Sequence, residues 1–131
     1  MTQAETRLPR VVFYRERSGR VPIQSWLDGL PAEHQEKCLK AIEQLQEGGR
    51  DLRHPHVHRI TAEIYELRTR YSTIRYRLFY FWYEGNVAVL TDGIAKKTSA
   101  VSQRDVQRSL NRKRQFEQNP ALHTQEIDYA W

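Results

Sequence analysis

Three runs rich in β-branched and aromatic residues fill the middle of the chain. They are Ile64-Tyr-Glu-Leu-Arg-Thr-Arg70, Ile74-Arg-Tyr-Arg-Leu-Phe-Tyr-Phe-Trp-Tyr83 and Val87-Ala-Val-Leu-Thr-Asp-Gly-Ile94. Short polar breaks at Tyr71 to Thr73 and at Glu84-Gly85-Asn86 separate them, which predicts a meander of antiparallel strands. Upstream, Val11 to Arg15 (Val-Val-Phe-Tyr-Arg) predicts a first strand closed by Ser18-Gly19. The period then changes. Ile23, Trp26, Leu27 and Leu30 form one stripe at helical spacing, in a short helix that starts at Val21-Pro22. Pro31 opens a second helix with the stripe Cys38, Leu39, Ile42 and Leu45, and Gly48-Gly49 ends it. The two helices form a hairpin expected to cover one face of the sheet. Ser102-Gln-Arg-Asp105 has the form of a capping box, so a last helix is expected from about Gln103 to Glu117. Asn119-Pro120 stops it. The order is β-α-α-β-β-β-α, an α+β class with a small, largely antiparallel sheet. One domain is expected over residues 1–131, with its core at about 11–117, a frayed lead-in before it and a tail at 118–131.

Alternation along the strands gives the first chemical signal. Arg68 and Arg70 share one face of their strand, and Arg75 and Arg77 share one face of the next. Where those faces coincide, four guanidinium groups come together, and like charges opposed across a sheet cost stability. An anionic partner is the expected compensation. The overall balance agrees: 21 Lys plus Arg against 16 Asp plus Glu gives a net charge of +5. That points to a polyanion, nucleic acid before an anionic membrane surface. One cysteine, Cys38, excludes an intramolecular disulfide and a cysteine-rich metal site, which fits a reducing cytoplasm. No apolar run approaches the roughly 20 residues of a membrane span. Residues 1–7 lack the apolar segment of a signal peptide.

Further matches occur in a fixed order: Val11-Val-Phe-Tyr14, Gly19-Arg-Val-Pro22, Trp26-Leu-Asp-Gly-Leu-Pro31, Ile64-Tyr-Glu-Leu-Arg68, Tyr76-Arg-Leu-Phe-Tyr80, Asp92-Gly-Ile-Ala-Lys-Lys-Thr98 and Asp105-Val106. On these motifs the chain resembles the RelE/HigB-type toxins of bacterial toxin–antitoxin systems, in their phage-derived HigB-like branch. The resemblance covers roughly residues 11–112. It implies that family's small α+β fold and a ribosome-dependent mRNA endonuclease that cuts without metal or other cofactor. It also implies partners: mRNA on the ribosome and a cognate helix-turn-helix antitoxin. Carried over by position, Arg68, Arg77, Lys96 and Lys97 are the candidate catalytic residues.

Arginine makes planar, paired contacts to phosphate and does not act as a base, so Arg68 and Arg77 suit charge stabilisation. Lysine can titrate when other cations crowd it, so Lys96 or Lys97 could transfer a proton. Arg70, Arg75, His58 and Tyr65 are the expected RNA contacts. His54-Pro-His-Val-His58 could set three imidazoles on one side of an extended segment, but no carboxylate or fourth ligand accompanies them. Surface polarity is the plainer reading, with His58 the best candidate base. Tyr76, Phe79, Tyr80, Phe81 and Trp82 read as core, as does Cys38. The basic last helix reads most simply as a solvated face, with ribosomal RNA backbone as a second reading. The competing function is a non-catalytic RNA- or DNA-binding module with the same basic face.

Overall fold

In the computed structural model the described residues are 9–53, 55–96 and 101–128, with the side chain of Lys96 not described. Of the expected lead-in at 1–9, residues 1–8 lie outside them. The elements are β1 (Arg10–Tyr14), α1 (Pro22–Asp28), α2 (Ala32–Gly48), a 3₁₀ turn (Gly49–Asp51), β2 (Val57–Arg59), β3 (Tyr65–Tyr71), β4 (Ile74–Tyr83), β5 (Val87–Lys96), α3 (Gln103–Gln118), α4 (Pro120–His123) and β6 (Thr124–Gln125). Among the described residues six strands form one sheet in the order β2-β3-β4-β5-β1-β6. The β3-β4-β5 meander stands as expected. All pairings are antiparallel except β1 with β5. This is the expected α+β class.

The apolar pattern explains why β1 is interior. Val11 and Phe13 pack toward the helical hairpin, and Val12 and Tyr14 pack toward the opposite side. A strand buried on both faces reads as a continuous apolar run, and Val11 to Tyr14 is one. Against one face of the sheet, Ile23 and Leu27 of α1 and Cys38, Ala41, Ile42 and Leu45 of α2 join Leu67, Leu78 and Tyr80. Each leucine or isoleucine among them, fully buried, contributes roughly 1.5–3 kcal/mol. Ala41 takes a place in this stripe, and Leu39 is only partly buried. Against the other face, Phe116 of α3 meets Phe79, Phe81 and Val89.

Two local features set the site. The β3–β4 turn is two residues long, since Tyr71 pairs with Ile74, and Ser72 holds the left-handed conformation at φ 56°. In β5 the register shifts at Phe79/Tyr80, so Thr91 is an extra residue on the bulged strand. Thr91 Oγ1 lies 2.9 Å from Ser109 Oγ, and its carbonyl accepts a bond from Arg112 Nη1 at 2.8 Å. The bulge is therefore where α3 is fastened. Past it, Gly93 carries the indole of Trp26: a Cβ there would meet Trp26 Cε3 at 2.4 Å.

The expected tail is a correction. Residues 120–125 fold back as α4 and β6, and β6 pairs with β1. His123 stacks on Tyr14 with ring centroids 5.2 Å apart, and its Nδ1 lies 2.7 Å from the Arg15 carbonyl oxygen. The apolar content of 118–131 is too small and too irregular to show periodicity. What it gains is one open sheet edge, and edge pairing uses backbone groups that no side-chain pattern reports.

Candidate functional site

Register decides where the hairpin arginines go. Arg68 pairs directly with Arg77, and Arg70 with Arg75. Residues opposite each other in an antiparallel pair point to one face with Cβ atoms about 5 Å apart, so all four share a face. β5 extends the rows: Ile94 lies across from Arg77, and Lys96 from Arg75. The Lys96 side chain, Lys97 and His54 lie outside the described residues. Helix α3 covers this same face farther along, at Phe79 and Phe81, whereas Arg70 and Arg75 are exposed.

Glu66 makes the inner pair tolerable. It is fully buried; its Oε1 accepts a bond from Arg68 Nε at 2.7 Å and lies 3.2 Å from Arg77 Nε. Arg77 is 3% exposed and Arg68 36%. A buried guanidinium is stable only beside an opposite charge; Glu66 supplies that charge to Arg77 and hydrogen-bonds Arg68. The outer pair differs. Neither Arg70 nor Arg75 has an ion-pair partner among the described residues. His58 is the register partner of Glu66 and so shares the arginine face, half-buried.

A cavity of about 580 Å³ opens beside β3 where β2 has ended. The four arginines line it together with Lys37 of α2, His56 and Tyr76. The Tyr76 hydroxyl lies 2.6 Å from His34 Nδ1, and burial raises the Tyr76 pKa, so it stays a neutral phenol. The Tyr71 hydroxyl donates to Glu33 at 3.2 Å, and that bond raises its pKa. The arginines reach the cavity from their face of the sheet and Lys37 from the helical-hairpin side, around the open β3 edge, so several cations surround a space that can take a phosphate-bearing chain.

Tyr65 is placed differently from the other expected contacts. It is paired with Tyr80 and stacked on it at 5.5 Å, on the opposite face from the arginines. Tyr76, Phe79, Tyr80 and Phe81 are core, and Trp82 is half-buried. Cys38 is core as well, and burial pushes its thiol up to about 12. Among the described residues no group of three His, Cys, Asp or Glu gathers to hold a metal. Glu66 and Lys37 were not legible as site residues from sequence, although Glu66, two positions before Arg68, had to share its face.

The basic last helix is not simply solvated. Arg108 pairs with Asp92 and with Asp105, the latter at 2.7 Å, and Arg112 lies 3.8 Å from both Asp92 and Glu16. Burial lowers the Arg112 pKa, with Asp92 acting against it. Lys113 bonds Glu117 at 2.8 Å and Glu63 at 3.0 Å. Burial would lower the Lys113 pKa, and these two carboxylates outweigh it, so the net direction is upward. These cations tie α3 to the rest of the molecule.

Residues 25–114 match the family described as Phage derived protein Gp49-like (DUF891). That span is more than two thirds of the 131 residues. The chain belongs to this Gp49-like family. It is a RelE/toxin-like family, and the fold described above is compatible with a RelE-like one. No curated protein matches the chain. The Gp49-like span contains the arginine hairpin, Glu66, Lys37 and Asp92 with Asp105, Arg108 and Arg112, while β1, Glu16 and the α4–β6 return lie outside it.

Proposed function

We propose that this Gp49-like protein is the toxin of a type II toxin–antitoxin pair, of the HigB kind, and cuts mRNA on the translating ribosome. One observation carries the reading: two directly opposed arginine pairs, of which only the inner has a carboxylate partner among the described residues, beside an open cavity. Such crowding is unfavourable for the fold alone and favourable with a phosphate chain present.

In the proposed reaction a ribose 2′-OH attacks the adjacent phosphorus. The P–O2′ bond forms as the P–O5′ bond breaks, leaving a 2′,3′-cyclic phosphate and a 5′-hydroxyl. The 2′-OH proton goes to a base and another reaches O5′. The arginines remain cationic throughout and donate to the non-bridging oxygens as charge builds there. Arg68, Arg70 and Arg75 act from the open side, and Arg77 from the floor. His58, Lys96 and Lys97 are the candidates for proton transfer. The nucleophile belongs to the RNA itself, so the chemistry calls for no metal. A helix-turn-helix antitoxin would hold the protein inactive, and its site of action would be the cytoplasm, where messages are translated.

A second reading, a non-catalytic nucleic-acid-binding module, draws on the burial of Arg77 and the engagement of its Nε by Glu66. Single-turnover cleavage on saturated ribosomes separates the two. Arg77→Ala should lower the rate by about 10²–10³, the usual cost of one transition-state donor, with ribosome association retained. Cleavage should persist when EDTA is added to complexes already loaded. A wild-type protein that binds ribosomes and leaves the message intact supports the module instead. An Arg77→Ala rate equal to wild type, with an unchanged thermal melt, removes Arg77 from the chemistry.

A further inference from the structure

On the opposite face of the sheet lies a second basic cluster. Arg50 in the 3₁₀ turn, Arg53 just past it and Arg59 of β2 are all exposed and line a cavity of about 460 Å³ together with Tyr65 and Trp82. One carboxylate, Asp51, lines it too. The arginines are held in an unusual way. Arg50 Nε donates to the Gly85 carbonyl, Arg53 Nη1 to the Arg50 carbonyl at 3.3 Å, and Arg59 to the Thr61 and Ala62 carbonyls at 3.2 and 2.9 Å. Neutral carbonyls fix the guanidiniums without cancelling their charge, and none of the three has an ion-pair partner among the described residues. On α3, by contrast, Arg108, Arg112 and Lys113 are each matched by carboxylates.

Two of these cations also lie on aromatic rings. The Arg50 guanidinium stands 4.6 Å from the Trp82 ring centroid, and that of Arg59 stands 5.7 Å from Tyr65. Guanidiniums and aromatic rings gathered in this way are both groups on which single-stranded bases stack. The cluster is continuous with the first site. Pro55 and His56 line the arginine cavity, and Val57, the next residue, lines this one.

From the uncompensated charge, the stacking groups and this shared segment, we infer that the Arg50–Arg53–Arg59 flank is a second contact for single-stranded RNA. It grips nucleotides adjacent to those in the first cavity as the strand passes around the β2 edge. The inference rests on the RNA reading given above and gives that reading a second footprint. An acidic peptide would match the charge, but it would leave the stacking groups without a partner.

The test uses the full chain and uridine oligomers of about twelve nucleotides carrying 2′-O-methyl riboses, which lack the attacking hydroxyl. Binding is read by fluorescence anisotropy across a salt series. Arg50→Ala/Arg59→Ala should weaken binding at least ~10-fold and flatten the log–log salt slope by about 1.4, two phosphate contacts' worth for a single strand. Trp82→Leu, checked for folding by thermal melt, should weaken it roughly 5-fold or more by removing a stacking partner. Arg104→Ala/Arg114→Ala removes the same charge from the exposed side of α3 and should change binding less than about 2-fold, as expected of a general field effect. Equal losses in the two double variants overturn the site, because the cluster then contributes only net charge. Unchanged affinity in Arg50→Ala/Arg59→Ala overturns it as well. So does a glutamate-rich peptide that binds in place of the oligomer and is lost in the same variant. A wild-type chain that fails to bind the oligomer also overturns this second contact, while ribosomal cleavage still decides the first site on its own.

Discussion

Glu66 shows how much one buried carboxylate can organise. With its 0% exposure and two guanidinium partners, it lets Arg68 and Arg77 sit directly opposite each other. Removing it leaves Arg77 buried beside a second cation, a fault that typically costs about 3–5 kcal/mol. Glu66→Ala should therefore lower the unfolding free energy by that amount, read as a lower urea midpoint with an unchanged slope. Glu66→Gln should cost less, because its amide oxygen still accepts from Arg68 Nε. If Glu66→Ala unfolds at the wild-type midpoint, the triad does not hold the inner arginine pair. Sequence made the arginines visible but not this partner: a single glutamate in a strand is as easily read as solvent-facing, and only the register shows its burial.

At the level of elements, the period of the apolar residues revealed β1, both helices of the hairpin and the meander, and the capping box revealed α3, all to within about two residues. It revealed nothing of β2, whose three residues are too short to alternate, or of α4 and β6. The arginine faces were legible because alternation is fixed by strand geometry. Which face held Tyr65 was legible too, since it lies an odd number of positions from Arg68. Its stacking on Tyr80 was not. Tyr65 is expected among the RNA contacts with Arg70 and Arg75, yet its ring stands on the other face. The C-terminal return gives a test at this scale. His123 is 5% exposed, stacks on Tyr14 and bonds the Arg15 carbonyl. One net hydrogen bond and one aromatic pair together suggest a loss of about 2 kcal/mol for His123→Ala. Equilibrium denaturation checks it; a change near zero means that β6 docks without this ring.

For the molecule as a whole, the buried acids set an alkaline limit. Burial raises Cys38 from its ordinary 9.0 to about 12 and also raises Tyr80 and Tyr14. Each is a group whose folded-state pKa exceeds its unfolded one, so the native state binds more protons at high pH. Their contribution is fully present below about pH 9 and is lost as pH rises from 9 toward 12. Stability measured by urea unfolding should fall through that window, and Cys38→Ala should make the fall shallower. Native Cys38 should also resist alkylation at pH 8, where the buried thiol holds its proton. Rapid labelling of folded protein would contradict its burial.

The first strand finds its partners late. Arg10 waits for Val87, and Phe13 for Gln125, because β1 lies between β5 and β6. Pairings so distant along the chain form slowly, since a long loop must close before any contact repays it. During synthesis the meander can zip up from its own local turns, yet the apolar strand Val11 to Tyr14 has no seat until β5 has emerged. The half of the molecule that carries the arginines is thus assembled before the strand that closes the sheet.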